Sequence, residues 1–282
     1  MPLHDTPDTG LPGGRTYLYH ALKAPKYMHD VAIIKEYTPD YYKVTTFRTL
    51  RCKGIEDDEE SRRGLKGAGL NPEKLSNSIS RTRAKIYELA ACNPWELFVT
   101  FTLNQDKRDR FDLPQYSKDL AQMVRDYNKK HGLKIKYLLI PEKHESGAWH
   151  MHGFFLGLPL CHLRPFTLSD HLPHKIRKRL QEGVQVYTWQ AYARRFGFAE
   201  IEAIKNGEAA SKYITKYITE DLQKSVTELN AHLYYASQGL RRAEIVAVLP
   251  MEKELQNPDY KNDYVAVRNF TTYDDAERAV ML

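Results

Sequence analysis

The hydrophobic pattern between residues 97 and 221 changes its period several times, and this succession restricts the fold more than any other feature of the chain. β-Branched and aromatic residues mark strands, whereas apolar residues three or four positions apart mark helices. The predicted elements are, in chain order, strand 97–103, helix 115–130, strands 135–141 and 149–156, strand 198–204 and helix 208–221. This order predicts an α+β fold in which helices pack on a central antiparallel sheet, in a ferredoxin-like arrangement.

The chain divides into three predicted segments. Residues 1–70 form an N-terminal extension made of a flexible leader, a β-rich stretch and a charged linker. The main domain spans residues 71–240. It opens on Asn71-Pro72-Glu73, where a capping side chain, a proline and an acid predict the start of a helix. Residues 241–282 form a C-terminal tail with weaker strand signals.

Composition excludes several classes of protein. Hydrophobic residues make up 42% of the 282, which excludes a fully disordered chain, and no apolar run reaches 18 residues, which excludes a membrane span. The three cysteines are too few and too far apart for a disulfide framework or a four-cysteine zinc site. The N-terminus lacks the pattern of a secretory signal, so we expect a cytoplasmic protein. The net charge of +6 and the nineteen tyrosines favour a single-stranded nucleic acid as partner.

A pair of histidines is the first candidate site. His150 and His152 lie in a predicted strand, where side chains two positions apart point to the same face. Glu142 pairs with His150 if the loop around Ser146 and Gly147 makes a hairpin. Two imidazoles and one carboxylate with open coordination positions suit Mg²⁺ or Mn²⁺ bound to a phosphate. The alternative is two exposed sheet histidines beside an unrelated glutamate.

Two other arrangements of histidines were weighed for the same metal. His144 could replace Glu142 as the third ligand, although it falls inside the turn. His171 and His174 have a spacing that also suits a metal, but Pro173 breaks any helix that would align them.

A pair of tyrosines is the second candidate site. Tyr213 and Tyr217 are four residues apart in the predicted helix 208–221, so they are neighbours on one face, and Lys216 lies beside Tyr213. A phenol becomes a useful nucleophile when a positive charge is close or the electrophile is polarised. The alternative is a tyrosine stripe that packs on the sheet, because the pairs Tyr37/Tyr41 and Tyr260/Tyr264 have the same spacing.

In this order, Phe98–Thr102, Glu142 with His150-Met-His152, and Tyr213-x-x-Lys216-Tyr217 resemble the three motifs of the HUH superfamily of rolling-circle replication initiators. The likeness is greatest to the initiators of single-stranded DNA phages and related plasmids, and it covers about residues 71–239. It implies an HUH endonuclease domain with a ferredoxin- or RRM-like sheet. The strand 98–102 would then lie beneath the site, and the two histidines and the glutamate would bind a divalent metal.

The resemblance also implies a reaction. Tyr213 would attack a scissile phosphate and form a 5′-phosphotyrosine, Tyr217 would be a second nucleophile, and Lys216 would orient the phosphate. The partner would be single-stranded DNA at a replication origin, in the cytoplasm of a bacterial host. The sequence has no Gly-x-x-x-x-Gly-Lys-Ser/Thr loop, so a host helicase would unwind the DNA and a host polymerase would extend the free 3′-hydroxyl.

Four arginines are candidates to hold the DNA backbone, with a solvated charged face as the alternative for each: Arg177, Arg179, Arg194 and Arg195. Two other functions remain open. One is a transposase or relaxase with the same chemistry, and the other is a non-catalytic α+β module that only binds DNA.

Overall fold

The computed structural model describes residues 27–51, 72–204 and 233–282. The chain forms two compact units: a central unit, Gly67–Arg242, and a terminal unit that joins Met1–Lys66 to Ala243–Leu282. The sequence places boundaries near the same points but treats the first and last segments separately. The structure unites them, because strands from both segments pair in one sheet.

The regular elements follow one another along the whole chain. The strands are β1 (Tyr27–Thr38), β2 (Tyr41–Arg51), β3 (Leu97–Leu103), β4 (Lys136–Lys143), β5 (Trp149–Leu156), β6 (Arg164–Pro165), β7 (Tyr187–Thr188), β8 (Gly197–Ala203), β9 (Tyr235–Ala236), β10 (Glu244–Pro250), β11 (Tyr260–Lys261) and β12 (Val265–Phe270). The helices are α1 (Pro72–Ala91), α2 (Leu113–His131), α3 (His174–Gln181), α4 (Gln190–Arg195) and α5 (Tyr273–Arg278). Among the described residues, none of the helices combines the length and apolar character needed to cross a lipid bilayer.

The terminal unit is an antiparallel sheet in the order β10-β1-β2-β12-β11. Its β1–β2 hairpin turns at Pro39-Asp40, where the Thr38 hydroxyl donates to Asp40 Oδ1 at 2.7 Å. The buried core lies on one face of the sheet, between Ile34 and Val44 on the strands and Val280 just after α5. The weak strand signals of the tail therefore become strands because β1 and β2 supply pairing partners for them.

The central unit is built on a seven-stranded sheet in the order β6-β7-β8-β3-β5-β4-β9. Its four inner strands, β8, β3, β5 and β4, are antiparallel to their neighbours. Helix α2 connects β3 to β4, and α4 lies between β5 and β8 in the chain, which gives the βαββαβ succession of the ferredoxin-like arrangement. The predicted α+β fold is confirmed.

Helix α2 begins and ends at recognisable signals. The Asp112 carboxylate accepts a hydrogen bond from the Gln115 backbone N–H at 2.9 Å, and Gly132 ends the helix in the left-handed conformation with φ of 66°. The helix buries Tyr116, Leu120 and Met123, as the spacing predicts. It starts two residues earlier than predicted because Asp112 is the capping residue.

The two faces of the central sheet carry different residues. Along β3, Leu97, Val99, Phe101 and Leu103 are buried on the face that packs with α2 and α4. Phe98 points the other way and packs against the apolar cluster of α1, which includes Ile86. Because side chains alternate along a strand, the same face carries Thr100 and Thr102 toward the end of β3.

Gly153 follows the histidine pair in β5 and allows close approach of β4. A Cβ at Gly153 would collide with the backbone carbonyl of Leu138, whereas a Cβ at Gly183 would contact nothing within 4 Å. We expect Gly153→Ala to lower the free energy of unfolding by about 3 kcal/mol or more. Gly183→Ala should cost about 1 kcal/mol, because Gly183 only has a positive φ, of 81°.

Urea unfolding followed by tryptophan fluorescence measures this difference. All three tryptophans lie in the central unit, so the signal reports on the sheet that contains Gly153. Equal losses of stability in the two variants would contradict the role of Gly153 in strand packing.

Candidate functional site

The predicted hairpin and its register are confirmed. Strands β4 and β5 pair so that Glu142 lies opposite His150. The connecting turn closes through two backbone hydrogen bonds, from the His144 N–H to the Ala148 carbonyl at 2.9 Å and from the Gly147 N–H to the His144 carbonyl at 2.8 Å. Glycine suits its turn position because φ there is 83°.

The two histidines and the glutamate meet on one face of the sheet. The imidazoles of His150 and His152 are nearly parallel, with ring centroids 6.4 Å apart. Glu142 Oε2 lies 2.5 Å from His152 Nε2, and both side chains are only partly exposed. The structure thus brings together the three residues that the sequence predicts as metal ligands.

Two threonines of β3 hold the imidazoles from below. Thr100 Oγ1 lies 3.0 Å from His152 Nδ1, and Thr102 Oγ1 lies 3.3 Å from His150 Nδ1. These contacts follow from the strand register, which places Thr100 opposite His152 and Thr102 opposite His150. With Nδ1 engaged, Nε2 is the nitrogen that each ring has left for a ligand.

The sequence analysis places Phe98–Thr102 beneath the site but assigns no role to its threonines. A signal for them exists in the sequence, since Thr100 and Thr102 have the same two-residue spacing as the histidines. That signal becomes informative only once β3 and β5 are known to be neighbours.

The charges of the site are set by its own members. The pKa of Glu142 is lowered, mainly by the hydrogen bond with His152, so this carboxyl is ionised at neutral pH. The pKa of His150 is also lowered, first by burial and then by repulsion from His152, with smaller contributions that include Arg110. A neutral imidazole and an ionised carboxylate are the forms that bind metals.

The residues fit a divalent ion by their chemistry. Among the described residues, no three His, Cys, Asp or Glu side chains are already arranged as a metal site. The reason is visible in the contact between Glu142 and His152, whose ligand atoms lie 2.5 Å apart. Two neighbouring ligands on one octahedral ion of this type lie about 3 Å apart. A small rotation of the Glu142 carboxylate would therefore suffice to open the place for an ion.

The other histidines occupy different positions. The His144 ring stacks on that of His150 with centroids 5.6 Å apart, so it remains a possible third ligand. His171 precedes Pro173, and His174 is the first residue of α3. These two histidines therefore share no helix face, as the proline predicts.

The four arginines differ in their surroundings. Arg179 pairs with the carboxylates of Glu200 and Glu202, so its charge is already matched, which disfavours a contact with DNA. Arg177 donates to the Asp170 carbonyl at 3.5 Å. Arg194 and Arg195 are exposed in the last turn of α4, which makes them the better placed pair for binding a phosphate backbone.

The predicted nucleophiles lie outside the described residues. Tyr213, Lys216 and Tyr217 fall between residues 205 and 232. Their assignment rests on the sequence alone.

Comparison with known proteins gives one similarity. Residues 96–222 match the model of the family described as Replication-associated protein ORF2/G2P. The matched range contains the histidine pair, Glu142 and both candidate tyrosines, and the similarity supports a role in replication initiation. No curated protein and no solved structure matches the chain.

Proposed function

We propose that the protein is a metal-dependent, site-specific nickase of single-stranded DNA that starts rolling-circle replication. One observation carries the proposal: His150, His152 and Glu142 converge on one sheet face, with both imidazoles held through Nδ1 by threonines. This arrangement leaves nitrogen and oxygen ligands of the kind that bind a divalent ion at a phosphate. It lies inside the range that matches a replication-associated family.

The proposed site holds Mg²⁺ or Mn²⁺ through His150, His152 and Glu142. When bound, the ion polarises the scissile phosphate and neutralises the charge that develops on it. The threonines keep the imidazoles oriented, and the low pKa of Glu142 keeps its carboxylate ionised. The chain thus supplies a preorganised set of ligands on a rigid sheet.

The proposed bond exchange uses Tyr213. Its hydroxyl oxygen attacks the phosphorus in line, a new P–O bond to the phenol forms, and the bond to the 3′-oxygen breaks. The phenolic proton goes to solvent, and the leaving 3′-oxygen takes up a proton. One phosphodiester replaces another, so the step is reversible and can also seal a circle. Lys216 would stabilise the phenolate, and Tyr217 would cut the regenerated origin.

The partners follow from this chemistry. The substrate is single-stranded DNA at an origin, with Arg194 and Arg195 as contacts to its backbone. The free 3′-hydroxyl requires a polymerase, and strand separation requires a helicase. We expect both to come from the host.

A gel assay tests the proposal. The protein is incubated with the labelled single strand of the replicon that encodes it, in Mn²⁺ or in EDTA. We expect a covalent protein–DNA product on a denaturing gel only with the metal. A non-catalytic binding module would give no adduct with any single strand, although its binding would weaken with salt. A transposase or relaxase would form the adduct, but deleting its gene would stop strand transfer and leave replication intact.

Thr100 and Thr102 provide a second test that needs no DNA. Thr100→Val removes the hydroxyl that holds His152 Nδ1 while keeping the β-branched shape. We expect the affinity for Mn²⁺, measured by isothermal titration calorimetry, to fall by about 10- to 100-fold. Thr102→Val should act in the same direction through His150.

The conservative change Thr100→Ser keeps the hydroxyl and is the control. It should stay within about 3-fold of the wild-type affinity, because the hydrogen bond to Nδ1 can still form. Wild-type affinity in both valine variants would show that the threonines do not position the ligands.

A further inference from the structure

The loop of residues 104–112, which connects β3 to α2, is fastened to the same end of the sheet as the histidine pair. The Trp149 backbone N–H donates to the Arg110 carbonyl at 2.9 Å, and its indole Nε1 donates to the Phe111 carbonyl at 3.2 Å. At the start of the loop, the Asn104 N–H donates to the Phe196 carbonyl at 2.7 Å. Since Trp149 directly precedes His150, the loop places Arg110 beside the candidate metal site.

The Arg110 side chain has donors to spare. One guanidinium nitrogen, Nη2, donates to Gln105 Oε1 at 3.1 Å. Its Nε is buried and has no hydrogen-bond partner in the part of the chain that the structure describes. No ion pair of Arg110 occurs among the same residues. A buried charged donor without an acceptor is costly, and such a group calls for an anionic partner.

The position of this charge is unfavourable unless an anion joins it. Arg110 is close enough to His150 to contribute to the lowering of its pKa, after burial and His152. A guanidinium beside ligands for a divalent cation repels that cation. A phosphate between them would relieve the repulsion, since planar guanidinium groups bind phosphate oxygens in bidentate fashion.

We propose that Arg110 binds a phosphodiester of the DNA strand next to the scissile phosphate. This inference rests on the proposed function, because it takes single-stranded DNA as the substrate. The anion it selects is a backbone phosphate and not a base, so the contact would be independent of DNA sequence. The β3–α2 loop thereby becomes a DNA-binding element that the sequence analysis did not identify.

Arg108 is the matched control in the same loop. Its Nε faces Asp119 Oδ2 at 3.6 Å, and its guanidinium lies over the Phe196 ring, 5.3 Å from the centroid. The Arg108 charge therefore already has partners within the protein. Arg110→Gln and Arg108→Gln remove the same charge from the same loop, so a difference between them reports on position.

The experiment measures binding of a fluorescent oligothymidylate by anisotropy in EDTA, over a series of salt concentrations. Arg110→Gln should weaken binding by about 10-fold or more, as expected for a lost charged hydrogen bond. The slope of log affinity against log salt should fall by about 0.7, the value for one phosphate of a single strand. Arg110→Lys should keep the wild-type slope with a weaker affinity, and Arg108→Gln should change both quantities less than Arg110→Gln.

Wild-type affinity and slope in Arg110→Gln, or an equal effect of Arg108→Gln, would overturn the assignment. Thermal unfolding of each variant shows whether it is folded, and Arg110→Lys keeps the test decisive if Arg110→Gln is not. Binding in EDTA requires no cleavage. If the wild type forms no adduct but Arg110→Gln loses affinity as expected, the nickase proposal fails and the phosphate contact stands. If adducts form and Arg110→Gln binds normally, the reverse holds.

Discussion

Replacing both Tyr213 and Tyr217 by phenylalanine should abolish the covalent product with single-stranded DNA. Each change removes only the hydroxyl oxygen, which is the atom proposed to attack the phosphorus. Without a nucleophile the adduct should fall by at least about 10³-fold, below detection on a denaturing gel. Binding of the same strand should stay within about 3-fold of wild type, because the aromatic rings remain.

The chain contains its own control for this experiment. Tyr260 and Tyr264 have the same four-residue spacing, and they are exposed in the terminal unit, with 57% and 72% of their surface accessible. Tyr260→Phe with Tyr264→Phe should leave the adduct unchanged. An undiminished adduct in the Tyr213/Tyr217 double variant would exclude both residues as nucleophiles. The single variants show whether one tyrosine suffices for the first cut.

Replacing His150 by alanine should remove metal-dependent nicking and leave DNA binding within about 3-fold. His150 is one of two imidazoles that the site can offer, and its loss leaves Glu142 and His152 to hold the ion alone. A metal that polarises a phosphate contributes several kcal/mol to the transition state, so the rate should fall by about 10³-fold. The measurement is the single-turnover rate of strand cleavage in Mn²⁺.

His174→Ala is the matched control for this change. His174 is exposed at the start of α3, and its side chain takes no part in the cluster of Glu142, His150 and His152. The variant should cleave at the wild-type rate. Cleavage by the wild type in EDTA at full rate, or by His150→Ala in Mn²⁺ at full rate, would show that the histidine pair holds no catalytic metal.

The core of the site could be predicted because its interactions are local. Glu142 and His150 are eight residues apart, and a single turn at Gly147 fixes their register. Two-residue spacing then fixes the face on which both histidines lie. Nothing further than one hairpin is required, so the sequence alone suffices for these three residues.

The supports of the site could not be predicted, because they come from distant parts of the chain. Thr100 meets His152 only through the pairing of β3 with β5, which joins residues about fifty positions apart. Arg110 reaches the site because its loop bonds to Trp149. The ion pair between Arg179 and Glu200 likewise depends on where α3 lies against β8, which no periodicity in the sequence reveals.

The organisation of the terminal unit has the same explanation. The hairpin of β1 and β2 is visible in the sequence as two β-rich runs around Pro39-Asp40. The pairing of β1 with β10 joins Val31 to Pro250, and no local signal links two strands so far apart. The sequence analysis therefore describes an extension and a tail where the structure has one sheet.

The central claim is that a tyrosine of the chain becomes joined to a DNA phosphate under control of a divalent ion. Mass spectrometry tests it most directly, on protein incubated with the single strand of its own replicon and Mn²⁺, then digested with nuclease and protease. The account predicts a nucleotide linked through its 5′-phosphate to Tyr213, with Tyr217 as the second modified residue, and no modification in EDTA. A linkage to any other side chain, or none after the strand has been cut, would contradict it.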